Sequence, residues 1–238
     1  MWNDEEQKLF LEIIKKYKPQ YSAEHLNALL KYALLVITEN EKINLTAITS
    51  PEEFAIKHII DSLVALEYLE GNSVIDVGTG AGMPGLIWAI IKTQNDYVLL
   101  DSLAKRVAFL ENTKTSLGLK GVSTLHSRAE DAAQNPLYRE KFEIATARAV
   151  ANLAVLSEYC LPFVKIGGYF AALKGPDAEE EIKKCENALK VLGGKVKDVI
   201  KYQLPQEMGS RSLILIEKIG RTPRKYPRKA GTPTKAPL

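Results

Sequence analysis

The first seventy residues carry apolar side chains at the spacing of amphipathic helices. In DEEQKLFLEIIKKY and in SAEHLNALLKYALLVITENEK, apolar residues recur every three or four positions, which places them on one helix face. Ser22 is a candidate N-cap for the second segment. A third segment, SPEEFAIKHIIDSLVALEYL, begins with Ser50, and Glu53 is placed to complete its capping box. We therefore predict a helical N-terminal extension over residues 1–70 that packs on the rest of the chain.

From residue 73 the pattern changes to short apolar runs that alternate with amphipathic segments such as LAVLSEYCLPFV, which is typical of strands connected by helices. The last two strands are joined by the short loop PQEMGS, whereas a parallel pair needs a crossover of about a dozen residues or more, so we expect an antiparallel pair. The sequence thus predicts an α/β fold with a doubly wound, mostly parallel, seven-stranded sheet of Rossmann-like type. The predicted strands are 73–78, 97–101, 122–126, 142–149, 168–175, 195–204 and 211–219.

Composition indicates a globular protein that can bury a core, since 46% of the 238 residues are apolar and 26% are charged. The net charge is +3, but residues 218–238 hold seven Lys or Arg and no acid. This basic, Pro-rich end favours either an RNA or other polyanion partner, or a solvated, disordered tail. We divide the chain into the helical extension 1–70, a sheet domain over 71–219 and a basic, flexible tail over 220–238.

Features of a membrane or secreted protein are missing from the sequence. No apolar run is long enough to cross a bilayer, and the acidic start MWNDEEQKLF resembles neither a secretory signal nor a transit peptide. The two cysteines, Cys160 and Cys185, form no CxxC pair, so they give no zinc site or disulfide framework and are expected to pack on helix faces. We expect a cytoplasmic protein without a membrane partner and without a metal ion.

The segment VIDVGTGAGMPG, residues 74–85, runs from the first predicted strand into a helix. Its last three glycines spell a dinucleotide fingerprint, whereas DVGTGAG, which begins at Asp76, spells the loop of many enzymes that use S-adenosyl-L-methionine (SAM). Both motifs bind an adenosine ligand at the strand-to-helix turn. A dehydrogenase would need a second domain for its hydride-transfer acid or base, and the chain leaves little room for one. Five strand–helix steps followed by a hairpin are instead the layout of class I SAM-dependent methyltransferases, so we predict SAM.

Residues near the carboxyl ends of the predicted strands are candidates for holding SAM. The glycines let the backbone approach the methionine half, Asp76 can reach its amino group directly or through water, and Met83 offers a polarisable apolar contact. Asp101 ends the second strand about twenty residues after the loop, where an acid accepts both ribose hydroxyls. Glu130 is interpreted as an acceptor for the adenine edge, with a solvated residue or an N-cap as the alternative. The candidate cofactor residues are Asp76, Gly78, Gly80, Gly82, Met83, Asp101, Ser102, Leu103, Ala129, Glu130 and Arg148.

The fourth predicted strand ends in ATARAVA, which lacks the residues that several kinds of methyl transfer require. It has no (Asp/Asn)-Pro-Pro-aromatic motif for exocyclic amines, no cysteine nucleophile for cytosine C5 and no aspartate of the Lys-Asp-Lys-Glu set for ribose 2′-oxygens. Guanine N7 carries a lone pair and no proton, so its methylation needs positioning and no general base. Arg148 cannot act as a base, but it can hold a carboxylate, a phosphate or a guanine oxygen. The missing motifs suit a ring nitrogen as the methyl acceptor.

Several motifs together make the chain resemble the bacterial ribosomal small-subunit RNA methyltransferase G family, also called glucose-inhibited division protein B. They span nearly the whole chain and are KINLTAI, KHIIDSL, VIDVGTGAGMPGL, LLDSLAKRVAFL, SRAED, ATARAVANL, ALKG and SRSLILIEK. The resemblance implies SAM-dependent methylation of a guanosine N7 in 16S ribosomal RNA, with S-adenosyl-L-homocysteine (SAH) as product. The family's cofactor positions match Gly78, Met83, Asp101 to Leu103, Ala129, Glu130 and Arg148. Met83 stands where relatives often have Phe or Leu, which leaves the site intact.

Further residues within these motifs are candidates for contact with RNA. Asn44 and Thr46 could bind RNA or only cap the next helix. His58, three residues before Asp61 on one predicted helix face, could contact the guanine or the methionine end, or be a partner of Asp61. The basic candidates for phosphate contacts are Lys57, Lys174 and Arg211. No residue is assigned as a certain catalyst, and the candidates for positioning the reactants are Arg148, Lys174 and His58.

The expected partner is 16S rRNA or the small ribosomal subunit, and the expected state is a monomer. Two alternatives stay open: a SAM-dependent methyltransferase that acts on another RNA or a small molecule, and a non-catalytic RNA-binding assembly factor. The intact glycine loop and Asp101 argue against the assembly factor, because a lapsed site has no physical reason to keep positive-φ glycines beside a ribose acid.

Overall fold

The computed structural model describes residues 1–148 and 151–238, and within these ranges seven strands form one sheet. The strands are β1 Ser73–Val77, β2 Asp96–Asp101, β3 Val122–His126, β4 Phe142–Arg148, β5 Val164–Lys174, β6 Gly194–Gln203 and β7 Ser210–Lys218. Their order is β3-β2-β1-β4-β5-β7-β6, and the first five strands are parallel. β7 is antiparallel to both β5 and β6, which confirms the antiparallel pair predicted from the short PQEMGS loop.

Helices cover both faces of the sheet. They are α1 Asp4–Tyr17, α2 Ala23–Asn40, α3 Pro51–Phe54, α4 Asp61–Leu66, α5 Gly85–Ile91, α6 Ala104–Leu117, α7 Ala129–Ala132, α8 Leu153–Cys160, α9 Ala178–Leu192 and α10 Thr232–Lys235. One hydrophobic cluster packs α1 to α6 against one face, and a second packs α7, α8 and α9 against the other. Successive strand residues alternate between the clusters, as Val74 and Ile75 do in β1. The doubly wound α/β fold predicted from the sequence is thereby confirmed.

The strand order reverses at β1. From β1 the chain adds β2 and β3 on one side, and it then continues with β4 and β5 on the other. The connections that follow β1 and β4 therefore leave in opposite directions, which opens a crevice at the carboxyl ends of these strands, where α/β proteins bind ligands. The glycine loop follows β1 directly, so the fold places it at this crevice.

Two element boundaries differ from those predicted from the sequence, and a third lies at the edge of the described ranges. The helix predicted for LAVLSEYCLPFV ends at Cys160, because Pro162 has no N–H to continue the ladder, and a 3-10 turn follows over Leu161–Phe163. β5 begins at Val164 instead of residue 168, through exposed residues that gave no strand signal. The strand predicted over 142–149 is observed as far as Arg148, and its last residue lies outside the described ranges.

The helical stretch from Pro51 to Leu66 contains a π turn that the sequence did not reveal. The turn spans Ala55–Ile60, between α3 and α4. π turns inside α-helices are rare and occur frequently at functional sites. This one carries Lys57 and His58, and Asp61 follows it directly.

The N-terminal helices are fixed to the crevice by two buried hydrogen bonds. The hydroxyl of Tyr32 in α2 donates to the carbonyl oxygen of Ala81 in the glycine loop at 3.0 Å. The indole N–H of Trp88 in α5 donates to the carbonyl oxygen of Ser62 in α4 at 2.7 Å. The helical extension is thus part of the support of the glycine loop.

The C-terminal segment, residues 220–238, is not the flexible tail that the sequence predicted. Tyr226 and Thr222 are buried, and the guanidinium of Arg228 contacts both carboxylate oxygens of Glu158. The groups that the segment binds, such as the Glu158 carboxylate and the Leu192 carbonyl oxygen, lie far away in the sequence. Composition alone therefore showed only a run of basic residues and prolines. The segment instead packs beside α7 and α8.

The two cysteines are free and buried, as expected of helix-face residues. Burial raises the pKa of the Cys185 thiol to about 11 and that of Cys160 well above its usual value, so neither forms a reactive thiolate at neutral pH. No helix in the described ranges combines the length and the apolar character that a bilayer crossing requires.

Candidate functional site

Three adjoining cavities lie in a row at the carboxyl edge of the sheet. The central one, here the loop cavity, has a volume of about 450 Å³ and is walled by the glycine loop and the end of β2. The distal cavity, of about 230 Å³, shares Gly78 and Ser102 with it. The basic cavity, of about 360 Å³, shares His58 and Arg148 with it. An elongated ligand in the distal and loop cavities would therefore end beside the basic cavity.

The glycine loop presents its backbone to the loop cavity. Gly80 has φ +60°, and a Cβ built on it meets no atom within 4 Å, so only open space lies beside this part of the chain. Gly82 has φ +98°, and a Cβ there would lie 2.8 Å from Leu86, so this glycine permits the loop to pack against α5. The loop thus combines an open face for a ligand with a tightly packed rear.

Asp76 lies beneath the glycine loop and not in a cavity. It is 1% exposed, and its Oδ2 accepts hydrogen bonds from Thr79 Oγ1 at 2.6 Å and from the Gly85 N–H at 2.8 Å. Burial raises the pKa of this carboxyl to about 6, and the two hydrogen bonds oppose that rise. Oδ2 therefore shapes the loop, while Oδ1 has no hydrogen-bond partner among the described residues, so contact of Asp76 with a ligand amino group, directly or through water, stays a prediction.

Asp101 joins the end of β2 to the glycine loop. Its Oδ2 accepts from the Gly80 N–H at 3.0 Å, and its Oδ1 accepts from the Leu103 N–H at 2.9 Å. A carboxylate oxygen has two acceptor positions, so each oxygen retains one for a ligand hydroxyl. Asp101 lines the loop cavity, which is the arrangement that ribose recognition requires.

Arg106 is a cavity residue that sequence reasoning missed. Its NH1 lies 3.6 Å from Asp101 Oδ2, and the side chain lines the loop cavity. Its position on the first turn of α6, shortly after Asp101, was the available signal. Leu103, by contrast, is 51% exposed and lines a separate hollow with Asn44, so its N–H, and not its side chain, serves the loop cavity.

The distal cavity combines predicted residues with residues from the C-terminal segment. Ala129 and Glu130 line it together with Gly231 and Thr234. Glu130 is buried, and its Oε1 accepts from the Gly231 N–H at 2.9 Å. The sequence placed Glu130 correctly beside this hollow but gave no sign of its partner, which lies 101 residues away.

Arg148 determines the protonation state of His58. Its NH2 lies 3.2 Å from His58 Nδ1, and a guanidinium can only donate, so Nδ1 must accept and Nε2 must carry the ring proton. Burial and the positive charge of Arg148 lower the pKa of His58 to about 3. Arg148 also donates to the carbonyl oxygen of Lys57 at 3.3 Å and contacts Met83 Sδ at 2.9 Å. His58 is therefore neutral, with its acceptor nitrogen already in use.

The orientation of His58 fixes the hydroxyl of Thr46 in turn. Thr46 Oγ1 lies 2.8 Å from His58 Nε2 and accepts from the Ile48 N–H at 3.0 Å. Both lone pairs of the hydroxyl oxygen are then occupied, so its proton is free to donate to a group in the loop cavity, which Thr46 lines. The segment between α2 and α3, which carries Thr46, is held in place by Asn40. Its Oδ1 accepts hydrogen bonds from the Leu45 and Thr46 N–H groups at 2.6 and 2.9 Å.

Asp61 is not the partner of His58 that the sequence suggested. Its Oδ1 accepts from the Tyr202 hydroxyl at 2.7 Å, and its Oδ2 lies 3.6 Å from Arg148 NH1. Arg211 Nε is 4.0 Å from Oδ1. The π turn offsets Asp61 from His58, so this buried acid instead ties β6 and β7 to Arg148.

The basic cavity collects the predicted phosphate contacts. Lys57, Lys174 and Arg211 line it together with Arg148. Two of these cations have acidic partners: Lys57 pairs with Glu53, and Lys174 Nζ lies 2.8 Å from Glu181 Oε2. Among the described residues, the acid nearest to Arg211 is Asp61, at 4.0 Å, and its NH1 donates to the Ser210 carbonyl oxygen at 3.0 Å, so Arg211 is the least neutralised of the three.

A glycine loop after β1, an acid at the end of β2 and an antiparallel β7 inserted beside β5 define a class I, Rossmann-like methyltransferase fold. Solved structures agree: a geranyl diphosphate methyltransferase in complex with SAM aligns with a TM-score of 0.52 at 12% identity, over 67% of this chain and 85% of that one. The structure of M. jannaschii TYW2 in complex with AdoMet aligns with a TM-score of 0.52 at 12% identity, over 68% of this chain and 76% of that one. Likeness at this level of identity shows the fold alone.

Sequence comparison identifies the family within this class. The family model described as rRNA small subunit methyltransferase G matches residues 25–212. Relatives named ribosomal RNA small subunit methyltransferase G are 45% identical over 98% of both chains in Clostridium novyi, and 51% identical over 88% of this chain and 89% of the other in Alkaliphilus metalliredigens. The chain belongs to the rRNA small subunit methyltransferase G family and is a methyltransferase. The resemblance predicted from the sequence motifs is confirmed.

Proposed function

We propose that this methyltransferase transfers the methyl group of SAM to N7 of a guanosine in 16S rRNA of the small ribosomal subunit. The observation that carries the proposal is the junction of the loop and basic cavities. The two cavities share His58 and Arg148: His58 is neutral with its Nδ1 facing the Arg148 guanidinium, and Arg148 can only donate, so neither is a general base at neutral pH. An acceptor that needs no deprotonation fits this junction.

The row of cavities fits SAM along its length. Asp101 offers two free acceptor positions for the ribose hydroxyls, and Glu130 offers an acceptor for the adenine amine. The open backbone at Gly80 permits close approach of the methionine half. When bound, SAM supplies an electrophilic methyl group on its sulfonium. The residues proposed to hold it are Gly78, Gly80, Met83, Asp101, Ser102, Ala129 and Glu130, while Asp76, Gly82 and the Leu103 N–H shape the site around it.

Guanine N7 matches what the junction residues can do. N7 has a lone pair and no proton, and O6 lies beside it on the same edge of the base as a second acceptor. His58 and Ile48 occupy both acceptor positions of the Thr46 hydroxyl oxygen, so this hydroxyl acts as a donor. We assign it the role of holding O6. Asp61 offsets the charge of Arg148, which reduces the repulsion between Arg148 and the positive charge that develops on the base. Transfer to a free lone pair needs no metal ion.

RNA would bind across the basic cavity. Lys57, Lys174 and Arg211 bring positive charge from three elements to one side of the loop cavity, and such charges neutralise phosphates without reading sequence. We propose that the enzyme acts on this substrate as a monomer. A small-subunit substrate places the enzyme in the bacterial cytoplasm.

The proposal is tested by incubation of the protein with methyl-labelled SAM and small ribosomal subunits, followed by digestion of the 16S rRNA to nucleosides. The expected product is labelled 7-methylguanosine. Label in another nucleoside, in another RNA or in a small molecule would overturn the proposed acceptor, and RNA binding without transfer would indicate an assembly factor. Asp101→Ala is expected to reduce labelling when SAM is below saturation, while Asp96→Ala, an exposed acid at the start of the same strand, is the matched control.

A further inference from the structure

The outer wall of the distal cavity is built by the C-terminal segment. Gly231 and Thr234 lie on its lining opposite Gly78 and Ser102 of the nucleotide-binding loops. The Thr234 hydroxyl lies 3.0 Å from the Tyr159 hydroxyl of α8, which also lines the cavity. Burial raises the pKa of Tyr159, and the nearby carboxylates Glu130 and Glu158 add to the rise, so its hydroxyl keeps its proton.

Two side chains from the segment between α7 and β4, Arg139 and Gln134, hold the backbone of the C-terminal segment in place. Arg139 donates to the carbonyl oxygens of Thr222, Pro223 and Tyr226 at 2.9, 3.3 and 2.9 Å. Gln134 Nε2 donates to the carbonyl oxygens of Arg224 and Pro227 at 3.2 and 3.0 Å. Contacts to carbonyl oxygens specify a backbone path and not side-chain identity, so the segment has one defined course over the surface.

The strongest attachment is the ion pair between Arg228 and Glu158. Arg228 donates from its backbone N–H at 2.7 Å, from Nε at 2.9 Å and from NH2 at 2.6 Å. Glu158 is 1% exposed, and a buried carboxylate is costly without such partners. Arg228 does not line the distal cavity, so this attachment can be broken without removal of a cavity wall.

The segment meets the cofactor machinery at Gly231. The N–H of Gly231 donates to Glu130 Oε1, and the residue has φ +80°, a conformation that glycine adopts without strain. One oxygen of Glu130 is thereby fixed, and its remaining acceptor positions keep a constant direction. Glycine at this turn also brings the α10 residue Thr234 against Tyr159.

We propose that the C-terminal segment is part of the cofactor site: Gly231 positions Glu130 toward the 6-amino group of adenine, and Thr234 closes the adenine subsite. The proposal rests on the proposed function, since SAM is the ligand. Because binding energies are linked, adenine binding must also stabilise the docked segment by the same free energy that the docked segment contributes to binding.

The test uses two variants of the full enzyme. Removal of residues 230–238 keeps the Arg228–Glu158 pair and deletes the outer wall, and Arg228→Ala keeps the wall and weakens its attachment. In calorimetry with SAH, both are expected to bind about tenfold more weakly, the effect of losing a hydrogen bond to a charged group. Lys201→Ala removes the exposed ion pair with Glu179 and is the matched control, with unchanged affinity.

A specificity readout separates positioning of Glu130 from general destabilisation. S-inosyl-homocysteine has an oxygen in place of the 6-amino group, and this oxygen cannot donate a hydrogen bond to Glu130. The wild type is therefore expected to bind SAH more tightly than the inosine analogue. The truncated enzyme is expected to lose most of this preference. Trypsin should cut the segment after exposed Arg224 and Lys229 more slowly in wild type with SAH than without it.

The outcomes distinguish this inference from the proposed function. If the wild type binds no SAH, the proposed function fails first. If the wild type and both variants bind SAH with equal affinity and equal preference over the inosine analogue, and SAH leaves the tryptic cleavage unchanged, the C-terminal segment has no part in the cofactor site. If Arg228→Ala does not fold, the truncated enzyme decides.

Discussion

Arg148 NH2 lies 3.2 Å from His58 Nδ1, and this contact excludes a proton from that nitrogen. The imidazole is buried, faces a permanent positive charge on one side and contacts the Thr46 hydroxyl on the other. The pair therefore acts as a fixed hydrogen-bond relay, from Arg148 through His58 to Thr46, and not as an acid–base catalyst.

Replacement of His58 by Gln is expected to change how stability depends on pH. The pKa of His58 is about 3 in the folded protein and 6.5 when unperturbed, so between these values only the unfolded chain binds the proton. Because of His58 alone, the free energy of unfolding should fall by up to about 1.4 kcal/mol for each pH unit below 6.5. Urea denaturation at pH 7, 6 and 5 should show a shallower fall in the variant.

Asp76 titrates in the same range with the opposite sign, because its raised pKa makes the folded state bind the extra proton between about 3.8 and 6. It is present in both proteins, so the difference between them isolates His58. Identical slopes for wild type and His58→Gln would contradict the buried neutral state.

Thr46→Val should impair methyl transfer while the fold is kept. Valine has the shape of threonine but donates no hydrogen bond to O6 and leaves the His58 N–H unpaired. We expect kcat/KM for the RNA to fall by about 10- to 100-fold, the equivalent of about 1.5 to 3 kcal/mol. Thr46→Ser keeps the hydroxyl and should retain most of the activity. A valine variant as active as the serine variant would exclude this role.

Asp101→Ala should weaken binding of SAM or SAH by about 1–3 kcal/mol, because it removes charge-assisted hydrogen bonds to the ribose and the support of the Gly80 N–H. Calorimetry with SAH measures this directly. Asp96→Ala, on the same strand but exposed, should bind normally. Unchanged affinity in Asp101→Ala would refute the ribose contact.

Arg211→Ala should weaken RNA binding and leave SAH binding unchanged. Arg211 is the least neutralised cation of the basic cavity, and loss of one phosphate contact should lower the slope of log K against log salt concentration by about one. Filter binding to 16S rRNA between low and moderate salt gives this slope. Lys8→Ala, which removes an exposed lysine of α1, is the control, and an equal loss in both variants would indicate a nonspecific charge effect.

The sequence predicted those features of the molecule that depend on residues close to one another in the chain. The glycine loop and Asp101 follow strands at fixed spacing, and the loop between β6 and β7 is too short for a parallel crossover. Each of these features is decided by a few neighbouring residues, which is why the fold and the position of the glycine loop beside Asp101 were accessible to sequence reasoning.

What the sequence did not show depends on contacts between distant segments. Glu130 and Gly231 are 101 residues apart, and Arg148 and His58 are 90 apart. No local pattern reveals that a basic, Pro-rich segment will find a buried acid, or that Asp76 will turn under its loop toward Gly85. These arrangements follow from how the helices and the C-terminal segment pack, and packing is set by the whole chain.

The π turn over Ala55–Ile60 has a consequence for how this enzyme can vary in length. A π turn accommodates one residue more than a regular helical turn, so deletion of one residue here would restore a regular helix while the flanking residues keep almost the same directions. Asp61 and Ser62 would then still face Tyr202 and Trp88. A deletion in the regular helix on either side would instead rotate the residues beyond it by about 100° about the helix axis, so homologues that lose a residue from this stretch should lose it from the turn.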